Sequence, residues 1–179
     1  TFTYIRQRKM RGLGDAILTG EPLIGNEPFA VILADDLCES DGYSVTAQMI
    51  NAFNKYKCSI VAIEEVPITQ ISNYGIVSGK LISGTDDSYH VEDMVEKPKN
   101  YDSNLAIIGR YILTPDIFDI LKKVKPGKNN EIQLTDALLI QAKKGNVVAY
   151  KFKGKRFDCG SINGYVKATN YFANKAGIN

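Results

Sequence analysis

The stretch Phe29-Ala30-Val31-Ile32-Leu33-Ala34-Asp35-Asp36 is a short apolar run that ends in two aspartates. A run of this length and composition is typical of a β-strand that is buried on both faces. A second run of the same kind, Ser59-Ile60-Val61-Ala62-Ile63, follows along the chain. Between the two, the apolar residues of 45–56 recur at helical spacing and form one face of a helix. Strand, helix and strand in this order predict an α/β fold.

The alternation continues along the rest of the chain. We predict further strands at residues 1–5, 91–96, 106–113 and 147–152, and a hairpin in residues 76–82 that turns at Gly79-Lys80. We predict helices at 114–123, 134–144 and 164–175, the first with Thr114 as its N-cap and Pro115 at its first position. The pattern predicts a single α/β domain over residues 1–179 without an internal boundary. Its sheet should be mixed, mostly parallel and flanked by helices.

Composition excludes several classes of protein. The 179 residues carry 22 basic and 20 acidic side chains, and a net charge of +2 does not indicate nucleic acid or an anionic membrane as a partner. No apolar run is long enough to span a bilayer. Cys38, Cys58 and Cys159 are far apart, which argues against a disulfide framework and a zinc site. We therefore expect a reduced, cytoplasmic protein, with the single histidine, His90, on its surface.

The candidate ligand-binding residues follow the predicted strands. In open α/β sheets, ligands bind beyond the carboxyl ends of strands, where Asp35, Gly75, Glu96, Lys97 and Asp158 lie. Magnesium prefers one or two carboxylates together with phosphate oxygens, so the two aspartates are candidate metal ligands. The plainer alternative for each aspartate is a turn or a helix cap.

The sequence Val95-Glu96-Lys97-Pro98 suits a phosphorylated sugar. A glutamate accepts hydrogen bonds from hydroxyls, and a lysine supplies a compact charge for a phosphate. Adjacent residues on a regular strand point to opposite faces, so both can reach one ligand only if the strand ends or bulges there. Pro98 favours such an end. The plainer alternative is a solvated Glu–Lys pair.

Two other segments have both a functional and a plain interpretation. In Arg11-Gly12-Leu13-Gly14-Asp15-Ala16, two glycines at the entry to a helix allow a flat ring or a phosphate to approach the backbone. An ordinary strand-to-helix turn explains the same residues. The polar run Asn129–Asp136 precedes a helix, and helix capping is its plain explanation.

Taken together and in order, these segments resemble the sugar-1-phosphate nucleotidyltransferases, in particular the bacterial glucose-1-phosphate uridylyltransferases. Each motif is weak alone, whereas the ordered set is specific and spans nearly the whole chain. The motifs are Ile5-Arg6-Gln7, Arg11-Gly12-Leu13-Gly14-Asp15-Ala16, Val31-Ile32-Leu33-Ala34-Asp35-Asp36, Asn73-Tyr74-Gly75-Ile76-Val77, Val95-Glu96-Lys97-Pro98, Ser103-Asn104-Leu105-Ala106-Ile107-Ile108-Gly109-Arg110-Tyr111, Asn130-Glu131-Ile132-Gln133-Leu134-Thr135-Asp136 and Phe157-Asp158-Cys159-Gly160. The resemblance implies the Rossmann-like fold of the nucleotide-diphospho-sugar transferases.

For the nucleotide and the metal, the resemblance implies four residues. Gln7 and the backbone of Gly12 would contact the edge of the uracil ring. Asp35 would hold Mg²⁺, with Asp158 as the second carboxylate. Mg²⁺ on these two aspartates would bridge phosphate oxygens of the substrates.

For the sugar, the resemblance implies five residues. The backbone of Gly75 would contact glucose, Glu96 would bind its hydroxyls, and Lys97 would bind the phosphate of glucose 1-phosphate. Asn104 and Thr135 would line the sugar pocket. Asp35, Lys97 and Asp158 are the expected catalytic residues.

The resemblance implies transfer of UMP from UTP to glucose 1-phosphate, which yields UDP-glucose and pyrophosphate. Two alternatives stay open at the level of sequence. One is a nucleotidyltransferase with a different base or sugar, and the other is a non-catalytic sugar-nucleotide-binding or regulatory module.

The family's Gly-x-Gly-Thr-Arg loop, which holds the triphosphate, does not occur in these 179 residues. We therefore expect the chain to be the C-terminal part of a nucleotidyltransferase domain that is incomplete at its N-terminus and inactive by itself. The strand at 29–33 would then be an open, apolar sheet edge. From this edge we expect a homo-oligomer.

Overall fold

A computed structural model describes residues 1–178 of the chain. Its helices are α1 (Leu13–Ile24), α2 (Val45–Tyr56), α3 (Ile117–Leu121), α4 (Leu134–Ala142) and α5 (Ile162–Lys175). Its strands are β1 (Phe29–Ile32), β2 (Asp36–Glu39), β3 (Ser59–Glu65), β4 (Gly75–Leu81), β5 (Ser88–Glu96), β6 (Leu105–Leu113), β7 (Val147–Lys151) and β8 (Lys155–Asp158). Short 3₁₀ turns span Ile68–Asn73 and Lys128–Asn130.

The main sheet has the strand order β1-β6-β3-β7-β5-β4, and β4 also pairs with β6. The predicted mixed sheet flanked by helices is confirmed. The expectation that its strand pairs are mostly parallel is wrong. Among the pairings of the described strands, only β3 with β7 is parallel. The reason lies in β6, which runs against its neighbours β1, β3 and β4, and in the short connection between β4 and β5, which makes that pair antiparallel.

Strand β3 explains why a continuous apolar run predicts a central strand. Val61 and Ile63 pack on one side of the sheet with residues of α1, α3 and α4. Ile60 and Ala62 pack on the other side with residues of α2. All four side chains are fully buried. Because successive side chains of a strand alternate between faces, a sheet covered on both sides needs apolar residues at every position.

The hairpin predicted within residues 76–82 is wrong. Residues 76–81 belong to the single strand β4, and the turn lies between Leu81 and Ser88. Gly79 marks a register shift in the pairing with β5, where an added Cβ would overlap the carbonyl oxygen of His90. The glycine therefore permits a close approach of two backbones at a bulge, and it does not form a turn.

Two other local predictions are wrong. Residues 1–5 form no strand, and Phe2 and Tyr4 are almost fully exposed, because an extended segment becomes a strand only beside a hydrogen-bonding partner. The helix expected from Thr114 begins at Ile117. The Thr114 hydroxyl donates to Asp116 Oδ1 at 2.6 Å, so Thr114 stabilises the turn before the helix.

A two-stranded antiparallel ribbon, formed by β2 and β8, was not predicted from the sequence. It pairs Asp36 with Asp158 and Glu39 with Lys155. Strands of four residues with mixed polarity carry no clear period-2 signal. The ribbon joins two distant parts of the chain at the edge where β1 ends.

Every helix within residues 1–178 is too short or too polar to cross a bilayer.

We predict that the free edge of β1 promotes self-association. Ile32 is 55% exposed on this strand, and an apolar edge strand is a template for pairing with another chain. Ile32→Lys should therefore lower the apparent molecular mass measured by light scattering. Ile50→Lys is the matched control, because Ile50 is 45% exposed on α2, away from any sheet edge, and should leave the mass unchanged. Equal effects of both substitutions would contradict the prediction.

Candidate functional site

The ribbon brings Asp35 and Asp158 together. Asp35 lies in the turn between β1 and β2, and its carbonyl oxygen accepts a hydrogen bond from the N–H of Cys159 at 2.7 Å. Asp158 ends β8. A Cβ built on Gly160 would lie 3.1 Å from Oδ1 of Asp158 and 3.3 Å from Oδ2 of Asp35. The two carboxylates therefore flank the same small space.

The neighbouring Asp36 points into the protein. It is 5% exposed, and its Oδ2 accepts a hydrogen bond from the N–H of Gly109 on β6 at 2.5 Å. Its Oδ1 accepts from Nε of Arg156 on β8. Burial is the largest single influence on the pKa of Arg156 and lowers it, but the hydrogen bond and charge of Asp36, together with Tyr74 and Glu64, outweigh burial and raise that pKa. Arg156 is therefore permanently charged, and its pair with Asp36 joins the ribbon to the sheet.

Tyr74, the residue before β4, contacts Asp158. Its hydroxyl donates to Oδ2 of Asp158 at 3.0 Å, and the guanidinium of Arg156 lies 5.0 Å from the centre of its ring. Burial raises the pKa of Tyr74, so it stays protonated and can donate this hydrogen bond at neutral pH.

Gly75, Glu96 and Thr135 form a second group of polar atoms. Gly75 and Glu96 are directly paired across β4 and β5. The Thr135 hydroxyl, at the start of α4, donates to Oε2 of Glu96 at 2.6 Å. A Cβ on Gly75 would lie 3.1 Å from Oε2 of Glu96 and 3.3 Å from the Thr135 hydroxyl oxygen. Glycine at position 75 thus leaves room in front of a fixed carboxylate.

The predicted end of the strand at Glu96 is confirmed. Strand β5 ends there, and Lys97 has a φ of 47°, in the left-handed region that non-glycine residues rarely adopt. The Lys97 N–H donates to the carbonyl oxygen of Tyr74 at 2.9 Å, which stabilises this conformation. As a result, Nζ of Lys97 lies 3.8 Å from Oε1 of Glu96. Consecutive residues can therefore reach the same ligand.

Gln7 and Gly12 lie close together beside the start of α1. Gly12 has a φ of 89°, and a Cβ there would lie 2.9 Å from Cβ of Glu131. The Gln7 amide donates to Oδ2 of Asp15 at 2.7 Å, and this bond, helped by Arg11, lowers the pKa of Asp15. The first turn of α1 is thus packed against the segment before α4, with both backbones in close contact.

Asn104 does not join the other predicted residues. Its side-chain amide donates to the carbonyl oxygen of Val66 at 3.0 Å, and the Val66 N–H donates to the Asn104 carbonyl oxygen at 3.0 Å. Asn104 therefore holds the segment after β3, and it is not among the residues that line the cleft.

Six of the nine predicted residues share one cleft of about 330 Å³, and Gln7, Gly12 and Asn104 do not line it. The cleft lies at the end of the sheet where β1 and β5 finish and β4 begins, and Leu13 of α1 closes one side. The predicted residues that line it are Asp35, Gly75, Glu96, Lys97, Thr135 and Asp158.

Residues 1–175 match the family model described as nucleotidyl transferase. The chain belongs to the nucleotidyl transferase family.

Relatives of this nucleotidyl transferase chain come from several bacteria. It is 61% identical over 174 residues to a UTP–glucose-1-phosphate uridylyltransferase of Pseudomonas aeruginosa, with 96% of this chain and 62% of the relative covered. It is 44% identical to one of Staphylococcus epidermidis, with 96% and 59% covered. The chain thus spans about three fifths of the length of these relatives.

Solved structures show the same fold. A UDP-glucose pyrophosphorylase complexed with UDP-glucose superposes with a TM-score of 0.93 at 60% identity, and the match covers 97% of this chain and 66% of that one. A UTP-bound enzyme from Acinetobacter baumannii superposes with a TM-score of 0.82 at 33% identity, with 96% and 59% covered.

Asp36, Tyr74 and Arg156 also line the cleft, and they were not selected from the sequence. The spacing of Arg156 and Asp158 does predict that their side chains are neighbours, because residues two apart on a strand point to the same face. The contact of Tyr74 with Asp158 and that of Arg156 with Asp36 depend on the ribbon, so the sequence offered no signal for them.

The donor set suits a hard cation. Asp35 and Asp158 offer carboxylate oxygens, and within residues 1–178 no group of three or more His, Cys, Asp or Glu side chains is arranged to hold a metal. Magnesium usually takes one or two carboxylates and completes its shell with water and substrate phosphates. Two converging carboxylates beside an open cleft fit that pattern.

We predict that Gly109→Ala destabilises the nucleotidyl transferase fold. The new Cβ would lie 2.6 Å from Oδ2 of Asp36 and 2.7 Å from Cβ of Leu33, and neither neighbour is the free end of a flexible side chain. Overpacking of this kind should lower the free energy of unfolding by about 1–3 kcal/mol in urea denaturation. Gly20→Ala is the control, because its Cβ would meet only the tip of Ile24 on α1, and it should leave stability unchanged or raised. Equal stability of the two variants would contradict the packing argument.

Proposed function

We propose that the protein containing this chain transfers UMP from UTP to glucose 1-phosphate, which yields UDP-glucose and pyrophosphate with the aid of Mg²⁺. The observation that supports this most strongly is a single cleft that holds a carboxylate pair on one side and a Glu–Lys–Thr group on the other. The named activity of relatives up to 61% identical supports the choice of base and sugar.

Glu96 is suited to hold the sugar. Its Oε2 is fixed by the Thr135 hydroxyl, which leaves Oε1 free to accept hydrogen bonds from two adjacent sugar hydroxyls. Because Gly75 has no side chain, a sugar ring can lie against the β4 backbone beside Glu96 and Thr135. Lys97, beside Glu96, would place its charge on the phosphate at the anomeric position of the same molecule.

The nucleotide would enter from the side of α1. The backbone of Gly12 would contact the uracil edge, and Gln7, whose amide donates to the Gly12 carbonyl oxygen at 3.3 Å, would supply a group that both donates and accepts. In the present arrangement Asp15 accepts the Gln7 amide, so binding of the base would exchange that bond for one to uracil.

The transfer itself needs no covalent intermediate on the protein. A phosphate oxygen of glucose 1-phosphate attacks the α-phosphorus of UTP, a new P–O bond forms, and the bond to the β-phosphate oxygen breaks so that pyrophosphate leaves. Two anions must approach each other, so charge neutralisation and alignment dominate the barrier. Asp35 and Asp158 would hold Mg²⁺, which would act as a Lewis acid on the phosphate oxygens. Lys97 orients the attacking phosphate.

We also propose a cytoplasmic location. Cys38, Cys58 and Cys159 carry free thiols in the structure, which suits a reducing compartment. UTP as a substrate suits the same compartment.

The sugar assignment predicts a selective binding defect in Glu96→Gln. A hydrogen bond to a charged group contributes roughly 1.5–3 kcal/mol, so the Kd for glucose 1-phosphate should rise by about tenfold or more while the Kd for UTP stays constant. Isothermal titration calorimetry measures both. Lys97→Ala should weaken glucose 1-phosphate but not free glucose. A change in UTP affinity alone would contradict both assignments.

The metal assignment predicts that Asp35→Asn lowers kcat strongly in the whole protein and leaves the fold intact, because the substitution removes charge without changing volume. Pyrophosphate release measures kcat, and circular dichroism measures folding. Asp41→Asn, at another exposed aspartate outside the cleft, is the matched control and should keep full activity. Normal turnover by Asp35→Asn would contradict the role of Asp35.

A further inference from the structure

The two oxygens of the Asp158 carboxylate have different partners. Oδ2 accepts the Tyr74 hydroxyl at 3.0 Å and lies 3.4 Å from Nη2 of Arg156. Oδ1 accepts the N–H of Gly160 at 3.1 Å and is the oxygen that faces the space shared with Asp35. A carboxylate oxygen has two lone pairs, so Oδ1 keeps one acceptor position open toward that space.

Arg156 is itself fixed on all sides. Its side chain is only 7% exposed, and each of its three nitrogens faces a carboxylate. Nε binds Asp36, Nη1 binds Glu64 at 2.7 Å, and Nη2 faces Asp158. The Tyr74 ring packs against the guanidinium plane. A planar guanidinium held at two nitrogens leaves the third nitrogen no freedom to move.

We infer that Arg156 and Tyr74 are positioning residues for the cation site. Together they occupy Oδ2 of Asp158 and turn Oδ1 toward Asp35, so that Asp158 presents a single oxygen to the cation. This inference rests on the proposed function, because it assumes that the Asp35–Asp158 pair binds a divalent cation. Groups that hold a metal ligand in this way typically change metal affinity by 10–100-fold when they are mutated.

Because Arg156 is positively charged, the inference can be tested by whether removal of Arg156 raises or lowers the affinity for the metal. A positive charge beside a cation site repels the cation, so an Arg156 that acted only through its charge would weaken metal binding. Its removal would then tighten the site. If Arg156 acts by positioning Asp158, its removal weakens the site in spite of the lost repulsion.

The probe is Mn²⁺, because electron paramagnetic resonance counts the free ion directly. Arg156→Gln and Tyr74→Phe should each raise the Kd for Mn²⁺ by about tenfold. Tyr74→Phe changes no charge and retains the ring, so it decides the question if Arg156→Gln does not fold. Thermal unfolding followed by circular dichroism identifies variants that are folded at the assay temperature.

Two controls separate this inference from the proposed function. Lys167→Gln removes a positive charge from an exposed side chain that lines a cavity shared with Asp158, without touching the carboxylate, and should leave Mn²⁺ binding equal or tighter. Asp158→Asn should abolish binding. If wild-type protein does not bind Mn²⁺, or if Asp158→Asn does not weaken binding, the cation site itself is wrong. If Asp158→Asn weakens binding but Tyr74→Phe binds as tightly as wild type, only the positioning role is overturned.

Discussion

The cleft depends on one buried ion pair, between Arg156 on β8 and Asp36 on β2. Each side chain of the pair is 7% exposed, so neither charge is solvated, and each depends on its partner. Loss of one partner of such a pair typically costs about 3–5 kcal/mol, because the other charge stays buried without compensation. The N–H of Gly109 binds the same carboxylate, which ties the ribbon to the main sheet. The position of Asp35 and Asp158 relative to Glu96, Lys97 and Thr135 follows from these contacts.

Much of the framework could be predicted from hydrophobic periodicity. Helix α2 was predicted with its observed bounds, and the apolar runs at β1 and β3 marked strands of a covered sheet. Strand direction could not be predicted in the same way, because a buried strand has the same composition in parallel and antiparallel sheets. The error at Gly79 has a similar origin, since a glycine that permits a bulge and one that permits a turn look alike in sequence.

The candidate site was predictable where chemistry and strand ends coincide. Asp35, Glu96, Lys97 and Asp158 were chosen because carboxylates and a lysine follow strands, and the structure places all four in one cleft. Asn104 was chosen through the family resemblance alone, and its side-chain amide donates a hydrogen bond to the carbonyl oxygen of Val66. Arg156 was overlooked because Asp36, Glu64 and Tyr74, its partners outside β8, lie on β2, on β3 and just before β4. No local pattern shows which distant carboxylate will meet a buried guanidinium.

The ribbon also has a consequence for the order of folding. Asp36 and Arg156 are 120 residues apart in the chain. Closing a loop of that length costs chain entropy, and the loop must close before the Asp36–Arg156 contact can contribute to stability. The strands β3, β6 and β7 can pair through their own apolar faces, whereas the ribbon and α5 add comparatively little buried surface. In native-state hydrogen exchange, the amides of β8 should therefore open together with α5 as a separate cooperative unit, at a lower free energy than the sheet. When this unit opens, Asp158 separates from Asp35, and when it refolds the two carboxylates come together again, while the rest of the domain stays folded.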